Sequence, residues 1–438
     1  MKGKSILMVG VAAVALLANA QAGFAGKASS DGTSGMTVAQ SGPSNDELSA
    51  RVDALEAELQ ASEVREAADH DKVSSWKPMA GWWDNTTISG RMYFDITNID
   101  NKNAGAASSS NGTSFDIKRF YLGVDHKFND VFSANLTTDF TYDSPSATTN
   151  AVDGTGNPAT LTVKGSNTTQ IYIKKAYLQA KLDDAFIVRV GSADLPWVPF
   201  AEDVYGYRYI ENTVADRTKF GTSADWGLHV LGKFADGLVA YQFSAITGKG
   251  YKAPIRTNSP DYEGRVSLNY EGFQLGVGGY SGKLGVQHGT ATMHTAQRFD
   301  ALAAYTGNGF RVGVEYFTAS NWTQVTSATS SHGTGYSPFA SYQFDPEWAV
   351  FGRYDYVKPY SDGARSAFHN DYFNVGIEYT PVKIVNLALV YKHDAGSNGT
   401  FADSNGTIGG AFASAGPPVV AAANGAYDEI GLFGQFRW

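Results

Sequence analysis

From Thr86 to Trp438, apolar side chains recur at every second position over stretches of about ten residues, and this alternation restricts the possible folds more than any other feature. In the first stretch Ile88, Met92, Phe94 and Ile96 oppose Ser89, Arg91, Tyr93 and Asp95. In the third, Phe132, Ala134, Leu136, Phe140 and Tyr142 oppose Ser133, Asn135, Thr137 and Asp139, and in the last, Ile430, Leu432, Phe436 and Trp438 oppose Glu429, Gln435 and Arg437. Ten residues is about the length with which a tilted strand crosses the hydrocarbon of a bilayer. Sixteen such segments can be counted, near 87–98, 114–126, 131–142, 170–182, 186–193, 222–234, 237–247, 261–270, 272–282, 296–306, 309–319, 335–344, 347–357, 370–380, 383–393 and 426–438. Their connections alternate between tight turns, such as Glu271-Gly272 and Gly307-Asn308-Gly309, and long stretches such as 143–169, 194–221 and 394–425. The expected fold is therefore all-β: a transmembrane antiparallel 16-stranded β-barrel over 86–438. It must close, because a sheet edge facing lipid would leave backbone groups unpaired in hydrocarbon.

Ahead of the barrel, residues 1–22 combine Lys2 and Lys4, an apolar run from Ile6 to Leu17 and small residues through Ala22, the pattern of an export signal peptide. Residues 23–44 are small and polar, as in a flexible linker. Over 45–72 the period changes. Leu48, Val52, Leu55 and Leu59 form the seam of a short coiled-coil helix, expected in the periplasm, which with so few heptads needs other copies of itself to be stable. Aromatic residues at strand ends, among them Tyr142, Trp226, Tyr262, Tyr270, Tyr316, Trp348, Tyr356, Tyr379 and Tyr391, suit the two membrane interfaces. The expected location is the bacterial outer membrane, with its lipid as a partner.

Sixteen strands enclose more space than their own side chains fill, so a water-filled channel for small hydrophilic solutes or ions is expected. On this register the lining includes Arg91, Asp95, Arg119, Lys175, Lys181, Arg189, Lys233, Arg265, Arg298 and Arg353, and its charges of both signs nearly balance. The connection 194–221 differs from the other long ones in being aromatic and charged, with Pro196, Trp197, Tyr205, Tyr207 and Tyr209. Such residues order a loop by packing it on a surface, and here that surface is the inner wall. A pore constriction follows, with Arg208, Arg217 and Lys219 as cationic contacts beside Glu202 and Asp203. The chain has no cysteine, which excludes disulfides and thiolate metal sites, and its net charge of −9 argues against a nucleic-acid partner. The eight histidines are scattered without a catalytic or metal-binding spacing, so no enzyme activity, metal or cofactor is expected. The competing reading is a structural or adhesive barrel that presents long surface loops.

Several short stretches resemble the phosphate-selective porin O and P family: Gly90-Arg91-Met92-Tyr93-Phe94-Asp95, Lys118-Arg119-Phe120-Tyr121-Leu122-Gly123, Ala176-Tyr177-Leu178-Gln179, and Val188-Arg189-Val190-Gly191 leading to Pro196. The resemblance implies a trimeric sixteen-stranded channel with an inward-folded third loop, and anions such as phosphate among its solutes. Three residues after the glycine of the last stretch, where that family usually carries a lysine, this chain has Asp194.

Overall fold

A computed structural model describes residues 46, 49, 52–57, 59–60, 80–103, 106–108, 111–142, 147–152, 158–163, 169–286, 294–322, 325–361, 366–399, 401–408 and 424–438. Residues 1–44, and with them the expected signal and linker, lie outside the described residues, as do 61–72 of the expected helix. The chain divides into two units, at residues 1–76 and 77–438. In the first, the described residues are helical, with Val52, Leu55 and Leu59 exposed.

The second unit opens on a short helix, α1 (Ala80–Asp84), and continues into sixteen long strands. These are β1 (Thr86–Asn103), β2 (Gly112–Lys127), β3 (Phe132–Tyr142), β4 (Thr169–Asp183), β5 (Phe186–Asp194), β6 (Ala224–Phe234), β7 (Val239–Ile246) and β8 (Asp261–Tyr270). The circuit continues with β9 (Phe273–Gly282), β10 (Ala296–Gly307), β11 (Phe310–Ser320), β12 (His332–Gln343), β13 (Trp348–Lys358), β14 (His369–Val382), β15 (Val385–Ser397) and β16 (Gly425–Arg437). Each pairs antiparallel with its neighbours in sequence, and β16 returns to β1 from Arg91↔Arg437 to Asn103↔Gly425, which closes the barrel. The tight turns have the backbone they need. Glu271-Gly272 and Asn308-Gly309 carry positive φ at both positions (46° and 86°, 52° and 80°), the mirror-image turn that matches the twist of paired strands.

The oily faces point outward. Ile88, Ile96, Leu136, Leu178, Val190, Val277, Leu389 and Ile430 are exposed, whereas Tyr93, Asp95, Asn135, Thr137, Asp139 and Glu429 are buried inside. Several strands run beyond the apolar alternation at the long-loop side, β1 through the mostly polar stretch Asn98–Asn103 and β15 to Ser397. Pairing there needs no lipid-facing side chain, which is why hydrophobic periodicity places those ends too early. Among the described residues, two long connections carry hairpins, Ala147–Val152 with Pro158–Val163 and Phe401–Asp403 with Gly406–Ile408, and a short strand Ala106–Ala107 pairs back onto β1.

Besides register shifts beside the short turns, at Lys181/Asp183 and Tyr379/Val382, two shifts break the period of two in the middle of the wall. Between β1 and β2 the register steps from Tyr93↔Arg119 to Phe94↔Ile117, leaving Lys118 as an extra residue. Between β3 and β4 it steps from Thr137↔Lys175 to Thr138↔Ile173, leaving Lys174. Each is a β-bulge, in which two consecutive residues oppose one on the partner strand. The consequence is that both members of Lys118-Arg119 and of Lys174-Lys175 turn to the lumen. Strict alternation would send one cation of each pair into lipid, at about 2–4 kcal/mol at mid-membrane.

Candidate pore constriction

After β5 the chain does not leave the barrel. Residues 195–223 fold back into the lumen through two short helices, α2 (Val198–Tyr205) and α3 (Val214–Arg217). Pro199 stands in the first turn of α2, and Gly206 ends it with φ 82°. Besides that dihedral, a Cβ at Gly206 would meet Nη1 of Arg311 at 1.9 Å, so only glycine lets the wall arginine approach. Arg311 donates to the carbonyl oxygens of Asp203 (3.3 Å) and Val204 (3.2 Å).

The loop is fixed to the wall of β8–β16 by aromatic packing and buried polar bonds. Trp197 is fully buried. Its backbone N–H donates to Glu263 Oε1 (3.1 Å) and its indole N–H to Glu315 Oε1 (2.9 Å). Tyr207 stacks on Phe351 with ring centres 4.3 Å apart, Phe220 lies on Phe317 at 4.9 Å, and Tyr209 donates to Glu378 Oε1 (2.6 Å). Inward apolar residues Leu302, Phe317, Phe339, Phe351, Val390 and Phe433 receive these rings, so the loop and the wall beneath it share a packed core. The wall of this half keeps inward Glu263, Arg298, Asp300, Glu315, Arg353 and Asp355, as the alternation predicts, and carries the apolar patch only where the loop covers it. A surface that is buried by a loop need not be wettable.

Arg217, expected as a pore contact, is sealed in this core at 0% exposure. Its guanidinium donates to Asp355 (2.9 Å), Asp394 (2.8 Å), Asp403 (2.6 Å) and Asn370 (2.9 Å). Glu211 meets Lys392 at 3.4 Å, and Lys392 also meets Glu429 at 3.0 Å. Burial pushes the Glu211 carboxyl up, but the Lys392, Lys118 and Arg217 charges outweigh it and hold the carboxyl well below its usual range. Lys219 is exposed, with φ 62°, and its carbonyl accepts from the Trp322 indole (2.9 Å).

The opposite half, β1–β5, stays open. A cavity of about 430 Å³ lies between its wall, including Arg91, Tyr121, Lys174, Lys175 and Asp194, and the loop edge of Pro199, Glu202 and Asp203. On the wall, Arg119 pairs with Asp139 (2.9 Å) and donates to Tyr172 Oη (3.1 Å), and Lys175 pairs with Asp194 (3.0 Å). Lys174 lies 4.6 Å from the centre of the Tyr121 ring, and Lys252, from the connection after β7, 4.5 Å from that of Tyr172. On the loop edge Arg208 bridges Glu202 and Asp216, the latter at 3.7 Å. Burial opposes the Arg208 charge, yet the nearby carboxylates, Glu202 foremost, raise its pKa above the ordinary guanidinium value. Burial and the neighbouring Glu202 charge raise the pKa of Asp203, against the pull of Arg91.

The other expected lining residues divide by position. Arg189 bonds Gln179 (2.8 Å), and Arg265 lies 4.3 Å from the Phe200 ring centre. Arg298 and Arg353 lie under the loop, paired with Asp300 (2.8 Å) and Asp355 (2.6 Å), and so do not face open water. Lys181 and Lys233 are exposed beside the short turns, Lys181 meeting Asp184 at 2.6 Å, and Asp95 is buried 3.9 Å from Lys118. Sequence reasoning missed Lys118, Lys174 and Lys252. The signal for the first two was present, since adjacent cations within an alternating strand call for a bulge.

The family profile of phosphate-selective porin O and P matches residues 87–201, that is β1 to the start of α2. No curated protein matches the chain. Among solved structures, the anion-selective porin from Comamonas acidovorans is 12% identical and superposes with a TM-score of 0.56, over 81% of this chain and 99% of that one. OmpT of Vibrio cholerae, described as the trimer form, is 12% identical with a TM-score of 0.50, over 81% of this chain and 99% of its own. At such identities the likeness is one of fold.

Proposed function

We propose that this chain, whose residues 87–201 match the phosphate-selective porin O and P family, is an anion-preferring diffusion pore whose narrowest passage runs between the β1–β5 wall and the Glu202–Asp216 edge of the inward loop. The chain is an outer-membrane channel for small solutes; the preference follows from which charges remain uncompensated along the open route. Among the described residues Arg91, Lys174, Lys252 and Arg265 have no carboxylate at ion-pair distance, against Asp203 and Asp125 on the acidic side. Glu202 and Asp216 are already engaged by Arg208. The observation that carries the reading is the bulge at Lys174, which adds a second inward cation beside Lys175 without a second carboxylate. Small anions, phosphate among them, are the solutes this surface favours. Arg208, Glu202 and Asp203 act at the passage, Arg217 anchors the loop, and Lys219 stands outside the narrow part.

Assembly as a trimer is part of the proposal. Toward the long-loop side, β8–β14 carry exposed Tyr262, Tyr316, Tyr336 and Tyr354, rings suited to a lipid interface, whereas β1, β2 and β4 carry Ile96, Phe115, Ile171 and Ile173 there. On β1, β2 and β4 no described interfacial tyrosine takes that place, which suits a neighbouring subunit. The exposed Val52, Leu55 and Leu59 seam supports a periplasmic coiled coil joining the same copies.

The test is the reversal potential of single channels in a KCl gradient, with block by inorganic phosphate. Replacing Lys174 and Lys252 together with Gln should shift selectivity toward cations and weaken the block, and replacing Glu202 and Asp203 with Gln and Asn should do the opposite. Reversal potentials that ignore both pairs would place the passage elsewhere.

A further inference from the structure

The hairpin Phe401–Ile408 belongs to the last long connection, between β15 and β16, yet it folds into the mouth and is bonded to the inward loop. Asp403 accepts from Arg217 Nη1 (2.6 Å), and the Ser404 N–H donates to the Arg217 carbonyl (3.0 Å). The Ser404 hydroxyl donates to Glu211 Oε1 (2.8 Å), and Asn405 Nδ2 donates to Asp394 Oδ2 (3.0 Å). Phe401 and Ile408 are buried, and the Phe401 ring meets Phe368 edge to face at 5.9 Å.

We propose that this hairpin is a strap that holds the constriction loop in its inward position, with Arg217 as the shared clasp and positioning residue. The proposal rests on reading the loop as the constriction. Two features make the strap releasable. Arg217 retains Asp355 and Asp394 on the barrel wall when Asp403 leaves, so opening the clasp strands no buried cation. Lifting the hairpin breaks its charge-assisted bonds to Arg217, Glu211 and Asp394, but Glu211 keeps Lys392, Asp394 keeps Arg217, and the hairpin's own polar groups pass to the water-filled mouth. The effect reaches the passage through one short path. Arg217 ends α3, its neighbour Asp216 holds Arg208, and Arg208 holds Glu202 on the open cavity. An unfastened strap therefore loosens the edge that faces Lys174.

The experiment is single-channel recording of the full chain in planar bilayers, comparing the unaltered protein with D403A/S404A, D403N and E202Q. Heat-modifiable electrophoretic mobility reports on barrel folding. D403A/S404A should spend at least roughly tenfold more time away from the main conductance level, since it loses two charge-assisted hydrogen bonds and one alone is enough for about that factor. D403N should behave like the unaltered protein, because its amide oxygen still accepts from Arg217 while its N–H₂ can donate to Asp394. Unchanged traces in D403A/S404A overturn the strap when E202Q shifts the reversal potential. If E202Q leaves the reversal potential unmoved, the constriction reading fails and the strap with it. A D403N as disturbed as D403A/S404A overturns the clasp. Should D403A/S404A fail to fold, S404A alone carries the test through loss of the Glu211 contact, with a smaller rise expected and an unchanged record overturning the proposal.

Discussion

Trp197 is the first anchor of the inward loop, and its replacement should release the loop while leaving the barrel intact. The indole is fully buried and fills space against the inner wall, with Phe200 5.8 Å away between ring centres and Glu315 accepting its N–H at 2.9 Å. Truncating a buried Trp to Ala removes about 3–5 kcal/mol through lost burial and the cavity left behind. Trp197→Phe keeps most of the apolar contact and forfeits the bond to Glu315, which leaves a buried carboxylate short of a donor and costs about 1–3 kcal/mol. These losses fall on residues 195–223, because the sixteen strands pair with one another and not through Trp197. Limited trypsin digestion reads the loop directly, since Arg208, Arg217 and Lys219 lie within it and Arg217 is wholly enclosed in the native fold. Trp197→Ala should be cut there and show a larger single-channel conductance, Trp197→Phe should be cut more slowly, and both should retain the heat-modifiable mobility of a folded barrel. If Trp197→Ala resists trypsin in this loop and conducts like the unaltered protein, the loop is not held by its buried aromatic face and the reasoning fails.

Two further outcomes follow from the same geometry. Asp203 has a raised pKa, so it takes up a proton as pH falls while ordinary carboxylates, near about 3.9, remain ionised. The passage then loses a negative charge, and anion preference measured by reversal potential should rise over that mildly acidic window; Asp203→Asn should show the acid-side value throughout and lack the step. On the membrane side, Val277 lies mid-strand on the outer face of β9 while Gln274 faces inward, so Val277→Arg should destabilise the folded barrel in urea titrations by about 2–4 kcal/mol and Gln274→Arg by much less. Equal effects would contradict the register.

The barrel was legible because its rule is local. Ile88, Met92, Phe94 and Ile96 announce an outward face within nine residues, and Asn308-Gly309 announces a turn within two. The inward loop was legible too, since rings such as Trp197, Tyr207 and Tyr209 have no reason to cluster in a solvated connection. What sequence could not give was the partner of each charge. Arg217 reads as a pore cation until the fold brings Asp355, Asp394 and Asp403 to it from 138, 177 and 186 residues away. The bulges at Lys118 and Lys174 add one residue to a period of two, which a strict alternation has no place for. The inward apolar patch of Phe317, Phe339 and Phe351 makes sense only once the loop that covers it is in place.

The most direct test is a cysteine scan along β4, from Ile171 to Leu178, made clean by the absence of native cysteine. Each single-cysteine protein is exposed to a charged, membrane-impermeant thiol reagent during bilayer recording. Cysteines at 174 and 175 should both react and alter the current, while those at 173 and 176 should not, because the bulge turns two successive residues toward water. A cysteine at 174 that remains inert beside a reactive one at 175, or equal reactivity on both faces of the strand, would contradict a water-filled lumen lined as described.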